Sequence, residues 1–201
     1  MKYKDKTHII FDLDDTLTNS YSFNQDMFIN TIKQYTNSLN PAQESHLRQL
    51  HKNNRGISMT TLFQDALNFL HLVTKPTLLV TNNEVMHTEN ASQIKLFDHI
   101  KNLLSQYQSD GKILSICTNR QTQSTLKILQ NNQVEQYFTK VVSCSDAKHE
   151  KPDPFCLNYL IDEFHITKDQ VIYIGDSITD QLFANNAGVD FELAISPPLS
   201  R

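Results

Sequence analysis

No stretch of this sequence approaches the ~20 consecutive apolar residues of a membrane-spanning helix, so no membrane partner is expected. The N-terminus, Met1 to Lys6, is charged. The apolar run after it (Ile9, Ile10, Phe11) is too short for a secretory leader. Cysteine is scarce: Cys117, Cys144 and Cys156 are an odd number without framework spacing, which predicts reduced thiols and a cytoplasmic protein. A basic stripe is lacking too. Eighteen basic residues stand against 22 acidic ones, a formal charge of -4, which argues against nucleic acid as a partner. A small anionic ligand needs only local positive charge and stays compatible with that balance. Glycine occurs four times, and no internal repeat or low-complexity segment is present. The length, 201 residues, suffices for one core with a small accessory subdomain.

His8 to Asp12 is a short apolar run closing in acidic residues, and it reads as a buried strand opening into a polar loop. From Ser22 to about His71 the period is helical. Phe23, Met27, Phe28, Ile32 and Tyr35 share one face. Asn40, Pro41 and Gln43 form a capping-box start for a second helix, and Leu62, Phe63, Ala66, Leu67, Phe69 and Leu70 suggest a third. Thr74 to Asn90 stays open between helix, strand and turn. Beyond it, Leu96, Phe97, Ile100, Leu103, Leu104 and Tyr107 predict a helix stopped by Asp110-Gly111. Strands follow at Lys112 to Cys117, Val141-Val142 and Val171 to Ile174, with a last one over Phe191 to Ile195. Helices lie between them, and Thr167 with Gln170 repeats the capping-box pattern. This alternation predicts an α/β fold: a Rossmann-like, mostly parallel sheet with helices on both faces. In such sheets the chemistry sits at the carboxyl ends of the strands.

Four strand ends carry the polar residues. They are Phe11-Asp12-Leu13-Asp14-Asp15-Thr16-Leu17, Cys117-Thr118-Asn119-Arg120, His149-Glu150-Lys151-Pro152-Asp153-Pro154, and Ile174-Gly175-Asp176-Ser177-Ile178-Thr179-Asp180. In this order, each after a strand, the segments resemble the four motifs of the haloacid dehalogenase superfamily. The resemblance runs from Ile9 to Gly188.

The resemblance implies a phosphatase that hydrolyses a small phosphorylated metabolite. Asp12 would be the nucleophile, forming an aspartyl-phosphate. Asp14 would be the general acid and base, which calls for a carboxyl pKa nearer neutrality than usual. Mg²⁺ would be held by Asp12, the backbone carbonyl of Asp14, Asp176 and Asp180, Asp180 acting directly or through water. Lys151 would neutralise the phosphoryl oxygens and Asp12. Thr118 would donate its hydroxyl, the Asn119 loop would complete the anion cradle, and Thr16 would brace the first loop. It also implies an α-helical cap over residues 18–89, inserted in a catalytic core of 1–17 and 90–201. Arg55, on the loop between two cap helices, is then a candidate substrate contact, with Lys52 and Arg48 behind it. Asp15 stands where many family members carry glycine.

Each residue also has a plainer reading. An Asp-x-Asp pair can be a turn or cap, Thr118 a strand-end residue, Arg55 a solvated turn, and Asp180 a first-turn acid favouring its helix dipole. Lys148 competes with Lys151, and the Lys-Pro-x-Pro context favours Lys151. No histidine pair has zinc-site spacing, and most histidines are expected at or near the surface. Two other functions remain beside the phosphatase: a phosphomutase of the β-phosphoglucomutase type, sharing the Asp pair and cap, and a non-catalytic binding or regulatory module. The chain is expected as a monomer or homodimer.

Overall fold

The computed structural model describes residues 3–194. The expected last strand is present as Asp190–Leu193; Ile195 lies outside the described residues. In chain order the elements are β1 (His8–Phe11), β2 (Thr18–Asn19), α1 (Tyr21–Lys33), α2 (Pro41–Asn53), α3 (Met59–Leu70), α4 (Pro76–Glu89), β3 (Lys95–Leu96), α5 (Ile100–Ser109), β4 (Ile113–Thr118), α6 (Thr122–Asn131), β5 (Lys140–Ser143), α7 (Phe155–Glu163), β6 (Val171–Gly175), α8 (Ile178–Ala187) and β7 (Asp190–Leu193).

Five strands form one parallel sheet in the order β5-β4-β1-β6-β7. Side chains alternate between its two faces, and each face is apolar. Ile9, Phe11, Leu114, Ile116, Ile172 and Ile174 meet Ile100 and Leu104 of α5 and Ile128 and Leu129 of α6. Ile10, Cys117, Val171 and Tyr173 meet Leu157 and Leu160 of α7 and Phe183 and Ala184 of α8. β1 and β6 are buried throughout, which is why they read as unbroken apolar runs. The three cysteines are free and buried, and Cys117 Sγ lies 3.5 Å from Cys144 Sγ.

Helices α1–α4 lie between β2 and β3 and bury a third apolar cluster of their own, including Phe28, Ile32, Leu47, Phe63 and Leu79. The capping box at α2 is formed: Asn40 Oδ1 accepts from the Gln43 N–H at 2.9 Å, and Gln43 Oε1 accepts from the Asn40 N–H at 3.0 Å. The segment left open in the sequence is helix α4. Pro76 stands in its first turn, where its missing N–H costs nothing. Its buried stripe is Leu79, Asn83 and His87, and two of these three residues are polar. An apolar period was therefore not there to be read.

One expected helix is shorter than its stripe. Leu96 belongs to β3, which pairs antiparallel with β2, and α5 begins only at Ile100. The Leu96 N–H donates to Asn132 Oδ1 and the Phe97 N–H to the Leu17 carbonyl, so tertiary partners replace helical ones. Among the described residues no helix is long and apolar enough to cross a membrane.

Candidate active site

The parallel register brings the ends of β1, β4 and β6 side by side, with Phe11 opposite Ile116 and Ile174. The loops after them, with the loop after β5, line one cavity of about 300 Å³, closed on the other side by α1, α3, α4 and the α2–α3 loop. Asp12, Asp14, Thr118, Asn119, Arg55, Lys151, Asp176 and Asp180 all line it. The sequence-predicted residues thus meet in one place. Thr16 is not among the lining residues; it is buried, and its hydroxyl has no hydrogen-bond partner.

Asp12 is the first residue past β1, and its N–H donates to the Ile174 carbonyl, which fixes it beside β6. Its carboxylate is buried, and Oδ1 accepts from Lys151 Nζ at 2.6 Å. Lys151 Nζ also donates to Asp180 Oδ1 at 2.7 Å and to the Tyr173 hydroxyl at 3.1 Å. Burial alone would pull the lysine pKa down. The Asp12 and Asp180 carboxylates outweigh it and hold the ammonium charged. Lys148, its rival, is exposed.

Both oxygens of Asp180 are engaged by neighbouring groups. Oδ1 serves Lys151 and Tyr173, and Oδ2 accepts from the N–H and hydroxyl of Ser177 in a capping box at the start of α8. Burial pushes its pKa up, but Lys151 and these hydrogen bonds bring it below the usual carboxylate value. A Cβ on Gly175 would stand 2.5 Å from Asp180 Cβ, so only glycine lets the α8 turn close so tightly.

Carboxylate oxygens of Asp12, Asp176 and Asp180 lie within 4.8 Å of one another. Octahedral ligands of Mg²⁺, at 2.0–2.1 Å from the ion, sit roughly 3–4 Å apart. Hard oxygens at such spacing fit a divalent cation of that kind. Burial, with the charges of Asp180 and Asp15, raises the Asp176 pKa to about 7 against the pull of Arg55. A cluster this acidic is short of positive charge.

Arg55 reaches the site, but onto its carboxylates rather than into open cavity. Its Nη2 pairs with Asp15 Oδ2 at 3.0 Å and with Asp176 Oδ2, and its guanidinium lies over the Tyr21 ring. Arg48 is turned away, paired with Asp26 and Glu44, and neither it nor the exposed Lys52 lines the cavity. Gly56, with φ +79°, lets the Arg55 loop touch α8: a Cβ there would stand 2.8 Å from Ser177 Oγ. Asn119 ties the same loop to the core, its Nδ2 donating to the Gly56 carbonyl and its Oδ1 accepting from the Lys151 N–H. Asp15 has φ +59°, a left-handed backbone that glycine adopts most easily. It keeps that backbone while its side chain accepts from the Ser20 N–H and binds Arg55.

Asp14 does not have the near-neutral carboxyl expected of it. Burial raises its pKa, but Arg120, Asn24 and Ser20 more than reverse this and hold it far below the usual range. Arg120 Nε and Nη2 donate to its two oxygens, each at 2.9 Å, and Asn24 Nδ2 adds a third bond at 3.1 Å. Sequence reasoning quoted Arg120 without giving it a role and missed Asn24 and His87. His87 Nδ1 lies 3.0 Å from Arg120 Nη1; burial and that neighbouring charge hold the ring neutral. It is an interior residue, not a surface one.

The family described as haloacid dehalogenase-like hydrolase matches residues 9–194. A phosphoglycolate phosphatase of Vibrio cholerae is 30% identical over 93 residues, covering 46% of this chain and 41% of that protein. One of Mannheimia succiniciproducens is 28% identical over 103 residues, 51% of this chain and 46% of that protein. The chain thus matches less than half the length of these curated relatives. Its fold superposes on a "predicted phosphoglycolate phosphatase" from Haemophilus somnus with a TM-score of 0.80 at 22% identity, covering 94% of this chain and 84% of that one. CbbY from Rhodobacter sphaeroides, solved in complex with phosphate, superposes with a TM-score of 0.76 at 14% identity, covering 98% and 90%.

Proposed function

Because this chain belongs to the haloacid dehalogenase-like hydrolases, we propose that it is a Mg²⁺-dependent phosphatase acting on a small phosphate monoester. The observation that carries this reading is the meeting of Asp12, Thr118, Lys151 and Asp176 around one cavity at the strand ends. Asp12 is the nucleophile: its carboxylate attacks phosphorus, the ester oxygen leaves, and water later cleaves the aspartyl-phosphate. Lys151, kept charged and fixed by three oxygens, holds Asp12 in position and offsets charge on the phosphoryl oxygens. Thr118, at the end of β4, supplies a hydroxyl to the same group. Asp14 protonates the leaving oxygen and then deprotonates the water.

Asp12 and Asp176, with the Asp14 backbone carbonyl, are the residues that would hold Mg²⁺. Asp180 takes part through Lys151 or a bridging water, since its own oxygens are engaged. Bound there, the cation would offset the repulsion between carboxylate and phosphate. Residues 18–89 act as a cap: the Arg55–Gly56 loop and Asn24 and His87 on its helices close the cavity over the strand ends.

A cavity of about 300 Å³ suits a metabolite rather than a polymer. The names of the curated relatives make phosphoglycolate the first substrate to try. The first experiment is hydrolysis of a chromogenic aryl phosphate with Mg²⁺, with EDTA, and with the Asp12→Asn protein as blank. Turnover that persists in Asp12→Asn or in EDTA would sink this reading.

A further inference from the structure

Arg120 follows Thr118 by two residues, and its N–H donates to the Thr118 hydroxyl at 3.2 Å. Its side chain is 6% exposed yet lines the same cavity as Asp12 and Lys151. Every partner it has there is accounted for. Asp14 takes two parallel bonds, Asn24 Oδ1 accepts one at 2.7 Å, and His87 Nδ1 lies 3.0 Å away. Asn24 and His87 are neutral, so among the described residues Asp14 is the one carboxylate paired with Arg120. Glu84 also lines the cavity and favours the arginine charge, without an ion-pair contact.

This arrangement conflicts with the work asked of Asp14. A carboxylate fixed by a two-pronged guanidinium and an amide has both oxygens engaged and is not poised to carry a proton to a leaving group. If Asp14 turns away, the hydrogen-bonding partners left to Arg120 are neutral and Glu84 acts on it only at a distance; a buried cation without a paired carboxylate is destabilising. Something anionic must therefore replace Asp14 for the acid to be released. On the phosphatase reading the phosphoryl group is taken by Lys151 and Thr118. The remaining position faces a planar fork that matches a carboxylate.

Resting on the phosphatase reading, we propose that Arg120 is the specificity-determining residue of this site: it receives a carboxylate carried by the substrate beside its phosphate, and this exchange frees Asp14. A monoester with a neutral body leaves the latch shut. Discrimination then comes from the penalty for an unpaired buried charge as much as from a new attraction. Asn24 and His87 hold the guanidinium in place during the exchange, which places recognition of the carboxylate at the contact between cap and core.

The test compares 2-phosphoglycolate with 2-hydroxyethyl phosphate, a neutral-bodied analogue, in wild type, Arg120→Gln and the milder Arg120→Lys. Circular dichroism confirms that each variant is folded. Wild type should favour the carboxylate substrate by about tenfold or more in kcat/KM, and Arg120→Gln should bring that ratio close to one, with Arg120→Lys between them. A second arm reads binding without turnover, by calorimetry with Mg²⁺ in the Asp12→Asn background. There, adding Arg120→Gln should weaken phosphoglycolate about tenfold and 2-hydroxyethyl phosphate less than about threefold. A wild-type ratio near one, or a ratio and carboxylate affinity untouched by Arg120→Gln, overturns the proposal. Absence of all Mg²⁺-dependent hydrolysis, the aryl phosphate included, overturns the phosphatase reading instead, and the binding arm still decides the role of Arg120.

Discussion

Lys151 Nζ stands 2.7 Å from Asp180 Oδ1, with both side chains almost wholly buried. Asp180 is therefore chiefly a partner of the lysine, and on the proposed reading Asp176 is the more open carboxylate for the metal. Removing one member of a buried pair costs about 3–5 kcal/mol where the other charge is left unpaired; Lys151 keeps Asp12 as a partner, which puts the loss at or below the lower end of that range. Asp180→Asn should lower stability by an amount of this order in urea denaturation, and Asp176→Asn by much less. Mg²⁺ titration should give the reverse ranking, with Asp176→Asn the more damaging. Equal effects in both measurements would contradict this division of labour.

Metal affinity should depend on pH through Asp176. Its carboxyl titrates at about 7, raised chiefly by burial. It must lose its proton to bind a cation, so apparent Mg²⁺ affinity should weaken as pH falls below about 7. The limiting slope for one released proton is about tenfold per pH unit. Calorimetric titrations from pH 5.5 to 8.5 would measure it, and a flat profile would count against Asp176 as a ligand.

Asp14→Asn should cost roughly 10²–10⁴-fold in kcat, the usual worth of a general acid or base. It should also lower the melting temperature, because the buried Arg120 loses its carboxylate. A slow enzyme with unchanged melting would mean that the ion pair does not persist in solution.

Gly56→Ala and Gly111→Ala make a matched pair. Both glycines have positive φ, +79° and +74°, so either alanine should cost about 1 kcal/mol of stability. Only at Gly56 does the added Cβ meet neighbours, Ser177 Oγ at 2.8 Å and Thr179 Cβ at 3.0 Å, whereas nothing lies within 4 Å at Gly111. Steady-state kinetics should show a raised KM for Gly56→Ala alone.

Arg55→Ala should raise KM about fivefold, the worth of a partly exposed ion contact near 1 kcal/mol, by loosening the loop that rests on Asp15 and Asp176. Identical kinetics across a panel of phosphate esters would remove Arg55 from the site.

Much of this was legible in the chain itself. The parallel sheet followed from short, wholly apolar runs, because strands covered on both faces leave no polar alternation to confuse them. The four strand ends carried Asp12, Thr118, Lys151 and Asp176 at recognisable spacing. The capping box at Asn40 and Gln43 was local and therefore visible. The Arg120 latch was not, because it joins residues 24, 87 and 120 with Asp14 only through the fold. Helix α4 escaped because Asn83 and His87 occupy its buried stripe: Asn83 bonds the Thr31 hydroxyl, and His87 meets Arg120. Leu96 and Phe97 continued the period of α5, and only pairing with Thr18 and the Leu17 carbonyl took them out of it.

The pairing of β2 with β3 has a consequence for protein engineering. Thr18–Asn19 and Lys95–Leu96 run antiparallel, so the chain leaves the main sheet and returns to it at adjacent points. The residues between them form a closed excursion, and none takes part in the ladders joining β1 to β4 and β6. A tight turn grafted between Asn19 and Lys95 would span the gap without shifting the strand register. The insert could thus be exchanged like a cartridge, with the five-stranded sheet left threaded as it is.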